Sequence, residues 1–317
     1  MDNTTQIEYL EKHRLSISKY AIIAMSISGG VAFLGLLAFL SPFLTFFGDD
    51  FEYYGNFFSV GFCVFILGII FIFVFKAIFT ANYKKKINEV FKTYFLNEFY
   101  KEGFVSEPNK GLSFEVLNQS EILNRPTEYK TSNYFASHSD GLNFVGADYD
   151  LIFVHYYTDS DGHRHRTENH NPGKFYVFTY PRSFNHYLVI MEKNCGGEAF
   201  KMPNKKSALE FESIEFNKKF NVYCDDPSFA FYVITPQVQL NLMEFDSKVS
   251  SKLIVVLKQN KLFLFMNNFT STSKIKLFKK LDQEAINEYA RELKLPLTLA
   301  DDMDLEKEKF HNSDIKY

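Results

Sequence analysis

The sequence lacks the excess of positive charge that favours nucleic acid as a partner. Its 317 residues include 35 lysines and arginines against 38 aspartates and glutamates, a formal net charge of −3. Proteins that bind nucleic acid through its phosphates usually concentrate basic residues. We therefore expect no nucleic-acid partner, and any partner must be recognised by a local surface.

Cysteine is also scarce, with Cys63, Cys195 and Cys224 as the three examples and no CxxC pair among them. This pattern gives no disulfide framework and agrees with a reducing cytosol. Cys195, in the segment NCGGE, is a candidate nucleophile, but a single cysteine beside a glycine turn is more often just a small residue.

Short catalytic and phosphate-binding motifs are absent too. The chain has no GxSxG, no Walker-type phosphate loop, no GxGxxG after a strand and no HExxH. Catalytic residues can come from distant parts of a chain, so these absences do not exclude an enzyme. They do remove the positive evidence for one, and we favour a non-enzymatic protein with no cofactor.

Long apolar runs are what the sequence has in excess. No charged residue occurs at 20–48 or at 53–75, and each run exceeds the roughly 20 residues that cross a bilayer as a helix. We predict two transmembrane helices, at about 20–47 and 54–79, joined by a short external loop. A cleaved signal peptide fits less well, because the first run is too long and is followed at once by the second.

Basic residues lie before the first run and after the second, but not in the segment that connects them. Lys12, Arg14 and Lys19 precede the first run, and Lys76 and the triplet at 84–86 follow the second, whereas the connecting segment GDDFEYYGN contains neither lysine nor arginine. Basic residues accumulate on the cytoplasmic side of membranes. We therefore predict a multi-pass cell-membrane protein with the lipid bilayer as one partner and both termini in the cytoplasm.

Small residues within the runs predict how the two helices pack. Ser26 and Gly30 lie four residues apart in the first run, and Gly61 and Gly68 lie seven apart in the second. Small side chains allow the backbones of two membrane helices to approach closely. We expect them to serve packing within this hairpin.

Four further parts complete the predicted organisation. Residues 1–19 form a cytoplasmic juxtamembrane helix, and residues 80–102 an amphipathic helix that packs on the following domain or lies on the inner leaflet. Residues 103–300 form one cytoplasmic domain of ordinary size. The charged segment 301–317 is poor in apolar residues, so we expect it to be disordered.

The cytoplasmic domain is rich in short segments of valine, isoleucine, phenylalanine and tyrosine, which are typical of strands. Segments of this kind are LSFEVL, LIFVHYYT, KFYVFTY and YLVIME, and the pair KLIVVLK and KLFLFMN, which we expect to form a hairpin around Gln259 and Asn260. Helices are predicted at Asp226-Pro227, at Thr235-Pro236 and in DQEAINEYARELKL. The expected fold class is α+β: an N-terminal transmembrane helical hairpin, then a mostly antiparallel β-sheet domain with a few packed helices.

One polar segment, TDSDGHRHRTENHNPGK at 158–174, concentrates residue types that bind metals. The candidate metal ligands are Asp159, Asp161, His163, His165 and His170. A partial match to a calcium-binding EF-hand loop fails, because the flanking segments are typical of strands. A metal- or ligand-sensing protein, or an enzyme, that uses residues 159–170 is therefore the alternative hypothesis.

The favoured interpretation of the same segment is the crown of a hairpin. The strand LIFVHYYT would turn at 160–162, and the chain would return as KFYVFTY after the turn-forming residues Asn171, Pro172 and Gly173. Charged and imidazole side chains at an exposed tip then need no further explanation.

A second segment carries a family resemblance: ALEFESIEFNKKFNVYCDDPSFAFYVITPQVQLNLMEF, residues 208–245. It resembles the hallmark of DUF3137, a family of bacterial two-pass membrane proteins described only as a domain of unknown function. The matching positions are Phe211, Glu212, Phe216, Phe220, Val222, Tyr223, Asp226, Thr235 and Pro236, with Phe211 in place of the family's leucine. The resemblance implies a protein of the bacterial inner membrane and supplies no activity, cofactor or catalytic residue.

The hallmark residues have a structural interpretation and a functional one. Phe216, Phe220 and Tyr223 are expected in the core, and Asp226 and Thr235 at the N-termini of helices. The alternative is a protein-binding surface made by the charged residues Glu212, Glu215, Lys218 and Lys219. With no catalytic signature, we expect a membrane-anchored scaffold or protein-binding module whose partner is a membrane or cytoplasmic protein.

Overall fold

The computed structural model describes residues 3–44, 51–99, 103–107, 109–139, 142–195, 197–203, 208–269, 277–281 and 283–303. The chain forms two compact units, residues 1–94 with 273–288 and residues 95–272 with 289–317. Residues 48–50 of the predicted external loop and residues 304–317 of the predicted charged tail lie outside the described residues.

Two long, unbroken helices make up most of the first unit. Helix α1 runs over Asn3–Leu44 and helix α2 over Phe51–Phe99. Their segments Glu8–Ser41 and Ser59–Ile87 are long and apolar enough to cross a membrane. The predicted juxtamembrane helix thus continues into the first apolar run, and the predicted amphipathic helix continues the second.

Glycine allows α1 and α2 to pack in direct backbone contact. A Cβ atom on Gly61 would lie 2.4 Å from the backbone nitrogen of Phe39, and a Cβ atom on Gly68 would lie 2.6 Å from the Cβ of Ala32. Neither distance is compatible with a larger residue unless the helices move apart. Gly30, in contrast, has no atom within 4 Å of its Cβ position, so this glycine does not serve the packing of the hairpin.

A buried arginine joins α1 to the segment 277–281. The guanidinium of Arg14 donates to both carboxylate oxygens of Glu11, at 2.7 and 2.8 Å, and to the carbonyl of Leu277 at 2.9 Å. Glu11 also accepts from the backbone N–H of Leu281 at 3.2 Å. Arg14 is one of the basic residues that precede the first apolar run. It therefore also holds in place residues 277–281, which precede the last helix.

The second unit is built on one antiparallel sheet, as expected. Its strands are β1 Phe104–Glu107, β2 Glu128–Ser139, β3 Leu142–Thr158, β4 Arg164–Glu192, β5 Phe220–Cys224 and β6 Lys252–Asn267. Neighbours pair in the order β1-β2-β3-β4-β5, and β6 pairs with β4. The remaining helices are α3 Phe114–Asn118, α4 Ile214–Lys219, α5 Pro227–Val233, α6 Pro236–Lys248 and α7 Gln283–Asp302.

Both faces of the sheet carry a hydrophobic core, and β6 contributes to both. Its alternate residues Leu253, Val255 and Leu257 belong to the cluster that α4, α5, α6 and the C-terminal half of α7 cover. The residues between them, Ile254 and Val256, belong to the cluster on the opposite face, which α3 covers. A strand buried on both faces is apolar throughout, which explains the continuous run KLIVVLK.

The hairpin predicted around Gln259 is wrong. Gln259 has a positive φ of 53°, but the chain passes through it as the single strand β6, which pairs with β4 on both sides of that point. The register of β4 shifts between Thr179 and Phe184 and again before Leu188, directly opposite. The two long strands therefore bend together, and the polar pair at 259–260 marks the bend, not a reversal.

The predicted strand LSFEVL is wrong as well, since Phe114–Asn118 form helix α3. A short apolar run does not distinguish a strand from one buried helical turn. The helix starts predicted from the capping residues are confirmed: the Asp226 carboxylate accepts from the N–H of Ser228, and the Thr235 hydroxyl accepts from that of Val238.

Candidate functional site

Strands β3 and β4 extend beyond the rest of the sheet as a two-stranded ribbon, which we define as residues 154–170. The pairing of β2 with β3 ends at Ile152, and that of β6 with β4 begins at Gly173. Residues 155–158 and 160–170 are all exposed. The ribbon is thus the part of the sheet that solvent or a partner reaches from both faces.

The tip of the ribbon is a tight turn at 159–163, which confirms the turn predicted at 160–162. The N–H of Gly162 donates to the carbonyl of Asp159, and the N–H of Asp159 to the carbonyl of His163. Gly162 has a φ of +83°, typical of a three-residue hairpin loop with a bulge. The Asp159 carboxylate accepts from the N–H groups of Asp161 and His163, so its main role is to close the turn.

The second predicted turn, at Asn171, Pro172 and Gly173, is wrong, because the return strand already begins at Arg164. The carbonyl of Pro172 accepts from the N–H of Asn268 at 2.7 Å. A Cβ atom on Gly173 would lie 2.5 Å from the Tyr149 hydroxyl. These turn-forming residue types therefore have other uses here. Gly173 leaves room for the Tyr149 side chain, and Pro172 lies at the end of the ladder between β4 and β6.

Three ribbon histidines each pair with a different carboxylate: His165 with Asp159 at 2.6 Å, His170 with Asp150 at 2.7 Å, and His155 with Glu198 at 2.9 Å. Successive strand residues point to opposite faces, so His165 and His170, five residues apart, lie on opposite faces of the ribbon. Within the described part of the chain, no three metal-ligating side chains converge. The candidate ligands Asp159, Asp161, His163, His165 and His170 are therefore not gathered at one point.

The metal hypothesis stays a prediction with a direct test. It requires the purified full chain to retain zinc or calcium, and a His163→Ala, His165→Ala variant to lose it. Metal content by mass spectrometry checks both. Background metal in the wild type and the variant alike would contradict the hypothesis.

His170 is expected to titrate above the ordinary histidine range. The hydrogen bond to Asp150 raises the pKa of His170, and Glu168 on its other side adds to the effect. Because the folded-state pKa is raised, this pairing stabilises the ribbon below the ordinary histidine pKa and is lost as the pH rises through the folded-state value.

The measurement is an NMR pH titration of His170. Asp150→Asn should lower its pKa, since that change removes the main charged partner. Asp148→Asn is the matched control, because Asp148 lies two residues earlier on β3 and pairs with Lys174 instead. Equal shifts in the two variants would exclude Asp150 as the cause.

Neither cysteine of the second unit is suited to nucleophilic catalysis. Cys195 is buried, and burial raises the pKa of its thiol to about 12. Burial likewise raises the pKa of the Cys224 thiol to about 11. Since the thiolate is the nucleophile, both side chains are unreactive at neutral pH.

The hallmark segment combines a buried aromatic core with a closed loop. Phe216 and Phe220 are fully buried, as predicted. The amide of Asn217 donates to the carbonyl of Phe211 at 2.6 Å, and its oxygen accepts from the Phe211 N–H at 3.0 Å. This clamp fixes residues 211–217 as one rigid segment. No local signal in the sequence indicated the role of Asn217.

The charged residues predicted as a binding surface separate into two groups. Glu212, Glu215 and Lys218 are exposed. The ammonium of Lys219 instead lies 2.5 Å from the Asp246 carboxylate and 3.5 Å from that of Glu192. Lys219 is therefore committed to ion pairs within the domain.

Residues 172–305 match the family model described as a protein of unknown function, DUF3137. The predicted resemblance to DUF3137 is confirmed over these residues. Comparison with curated proteins gave no match. Among solved structures, the chain is similar to the crystal structure of the mycobacterial trehalose monomycolate transport factor A, TtfA, at 10% identity and a TM-score of 0.34, covering 65% of this chain and 95% of that chain.

Two of the exposed apolar side chains in the DUF3137 segment lie on the consecutive helices α4 and α5, and no pattern in the sequence indicated them. Ile214, the first residue of α4, is 69% exposed, and Phe231 on α5 is 48% exposed. The ring of Phe231 lies 4.9 Å from that of Phe211, which belongs to the clamped segment. We define the α4–α5 surface as Glu212, Ile214, Glu215, Lys218 and Phe231. The ribbon lies before the DUF3137 segment in the chain.

Proposed function

We propose that this protein is a membrane-anchored, non-enzymatic module that binds a membrane or cytoplasmic protein through the α4–α5 surface. The observation that carries the proposal is the exposure of Ile214, which lies between the exposed residues Glu212 and Glu215, and of Phe231, whose ring packs on Phe211 of the same segment. Protein interfaces typically bury a few large apolar side chains at their centre within a polar rim.

The rigidity of this surface supports the proposal. Asn217 fixes the backbone of the segment that carries Ile214, and Phe211 joins this segment to Phe231. Side chains held in place before binding lose less conformational entropy when a partner covers them. A partner that binds here would therefore meet a preformed site.

The anchor in this proposal is the helical pair α1 and α2, inserted in the bacterial inner membrane with both termini in the cytoplasm. Large apolar side chains on both helices are exposed, including Ile27 at 64%, Leu34 at 65% and Phe73 at 66%. Contact with water is unfavourable for these apolar side chains, whereas contact with lipid tails is not. The basic flanks at Lys12, Lys76 and residues 84–86 favour the stated orientation.

Ile214→Glu is expected to reduce partner retention about tenfold or more, because it places a charge at the centre of the proposed interface. The measurement is quantitative mass spectrometry of proteins that co-purify with the tagged full chain from its native membrane. Leu240→Glu is the matched control, since Leu240 is 64% exposed on α6 and lies outside the α4–α5 surface. Equal retention by the two variants, or no stoichiometric protein with the wild type, would overturn the proposal.

A further inference from the structure

We propose that two copies of this chain associate through the outer edge of β4 in the ribbon. The two strands would pair antiparallel about a two-fold axis at Thr167. This inference goes beyond the proposed function, because it uses a different surface and the occupant is a second copy of the chain. It rests on the backbone pattern of the ribbon and on the order of charges along β4.

No residue that the structure describes pairs with the outer edge of β4 between Arg164 and His170. Because Asp159 and His163 close the tip with a backbone hydrogen bond, Tyr157 and His165 form the next hydrogen-bonded pair of the antiparallel ladder. Bonded and non-bonded pairs then alternate down the ribbon. The residues that direct their N–H and C=O groups away from β3 are Arg164, Arg166, Glu168 and His170.

Contacts at the base of the ribbon support this alternation. On β3, the carbonyl of Ile152 accepts from the N–H of Thr127, so an even-numbered residue faces outward there. On β4, the carbonyl of Pro172 accepts from the N–H of Asn268, which is again an even-numbered position facing outward. Among the described residues, none pairs with the β4 edge from Arg164 to His170, since the ladder with β6 begins at Gly173.

The outer edge of β4 is complementary to a second copy of itself in both backbone groups and charge. With Thr167 opposite Thr167 of the second copy, Arg166 faces Glu168 and Arg164 faces His170. These are the residues whose backbone groups point outward, so each facing pair would exchange two backbone hydrogen bonds. One register therefore satisfies the backbone and places Arg166 opposite Glu168 in two symmetry-related pairs, and opposite charges stabilise cross-strand pairs. His170, which lies opposite Arg164 in this register, already pairs with Asp150 and Glu168 of its own copy.

Neighbouring registers are less favourable. An axis at His165 would place Arg164 opposite Arg166, and like charges directly opposite each other are destabilising. An axis at Asn169 would place Arg166 opposite Pro172, which has no N–H to donate. The sequence of β4 thus selects Thr167 as the axis of an isologous pair.

Charge reversal with mixing tests this interface. In the dimer, positions 166 and 168 face each other twice, once on each side of the two-fold axis. Glu168→Arg and Arg166→Glu each place like charges at both of these contacts, so each variant alone is expected to dimerise about tenfold more weakly than the wild type. An equimolar mixture should regain wild-type association, because each copy then supplies the opposite charge. The measurement is multi-angle light scattering on the purified full chain in detergent across a concentration series.

A monomeric wild type, unchanged dimers of either variant, or a mixture that fails to associate would each overturn the proposal. The mixture also controls for folding, since misfolded variants would not restore one another. A second readout is disulfide trapping of Thr167→Cys in a Cys63→Ser background. Non-hydrogen-bonded antiparallel pairs have Cα atoms about 4.5 Å apart, within disulfide range.

Thr167→Cys is therefore expected to give a covalent dimer under mild oxidation. Thr158→Cys is the matched control, because Thr158 is equally exposed on the ribbon but belongs to β3, away from the proposed axis. Equal trapping at the two positions would mean that the copies collide without a defined register, which contradicts the proposal.

Discussion

Gly61→Ala is expected to destabilise the packing of α1 against α2 by about 1–3 kcal/mol, the range for overpacked sites. The added Cβ would lie 2.4 Å from the backbone nitrogen of Phe39, and backbone atoms cannot turn aside as a flexible side chain can. The helices must therefore separate or rotate to accept one methyl group.

Gly30→Ala is the matched control and is expected to have the opposite sign. Its Cβ position meets no atom within 4 Å, so the change only removes the entropic disadvantage of glycine in a helix, about 0.5–1 kcal/mol. The two variants add the same group to the same kind of helix, and only the neighbouring backbone differs.

The measurement is unfolding of the full chain in mixed micelles by increasing sodium dodecyl sulfate. Energy transfer between labels on Leu15→Cys and Lys84→Cys, in a Cys63→Ser background, would follow the separation of the helices. Both label positions are exposed. Equal transitions for Gly61→Ala and Gly30→Ala would show that the close approach at Gly61 does not stabilise the pair.

Of the three glycines predicted to pack the two helices, two are confirmed and one is wrong. Gly61 and Gly68 lie against α1, whereas Gly30 faces open space. An apolar run has no polar face to indicate its orientation, so the spacing of small residues cannot show which side meets the partner helix. That choice depends on how the two helices pack along their whole length.

The same limit applies to the most apolar part of the sheet. Composition predicted a strand in β3 and in both halves of β6. A strand buried on both faces has no alternation, however, that would show the two halves of β6 to be continuous. A polar pair such as that at 259–260, between two apolar runs, is also typical of a turn. Only the pairing of β6 with β4 on both sides of Gln259 shows that the two strands share a bend there.

Side-chain roles in the candidate site were predicted where a local rule governs them. Asp226 and Thr235 cap helices because the capping bond lies within a few residues of chain. Lys218 and Lys219 are neighbours of the same type, and the difference between them depends on Asp246 and Glu192, which are distant in sequence. No local pattern in a six-residue helix distinguishes the two.

Lys219→Met is expected to lower the free energy of unfolding by about 2–3 kcal/mol at neutral pH, somewhat less than the loss of a fully buried ion pair. Glu192 keeps its bonds to Lys252 and to the N–H of Leu253. Asp246 loses the ammonium at 2.5 Å, its only ion-pair partner among the described residues. Lys218→Met, which changes an exposed neighbour, is the matched control and should have little effect.

The pH dependence of this loss has a definite sign. Burial raises the pKa of Asp246 despite the hydrogen bond from Lys219, because its charged form is poorly solvated. A carboxyl with a raised folded-state pKa takes up its proton in the folded protein first, so folding is favoured as the pH falls through that pKa. The cost of Lys219→Met should therefore shrink towards acidic pH, as protonation neutralises the unpaired carboxylate.

Asp246→Asn offers a second route to the same result. In the Lys219→Met background it removes the buried charge while keeping the shape of the side chain, so the double variant should be more stable than Lys219→Met alone. Urea unfolding of the full chain in detergent, followed by near-ultraviolet circular dichroism from pH 5 to 8, checks both effects. Additive losses at every pH would mean that Lys219 and Asp246 do not interact, and Lys219 would then be free to bind a partner together with the α4–α5 surface.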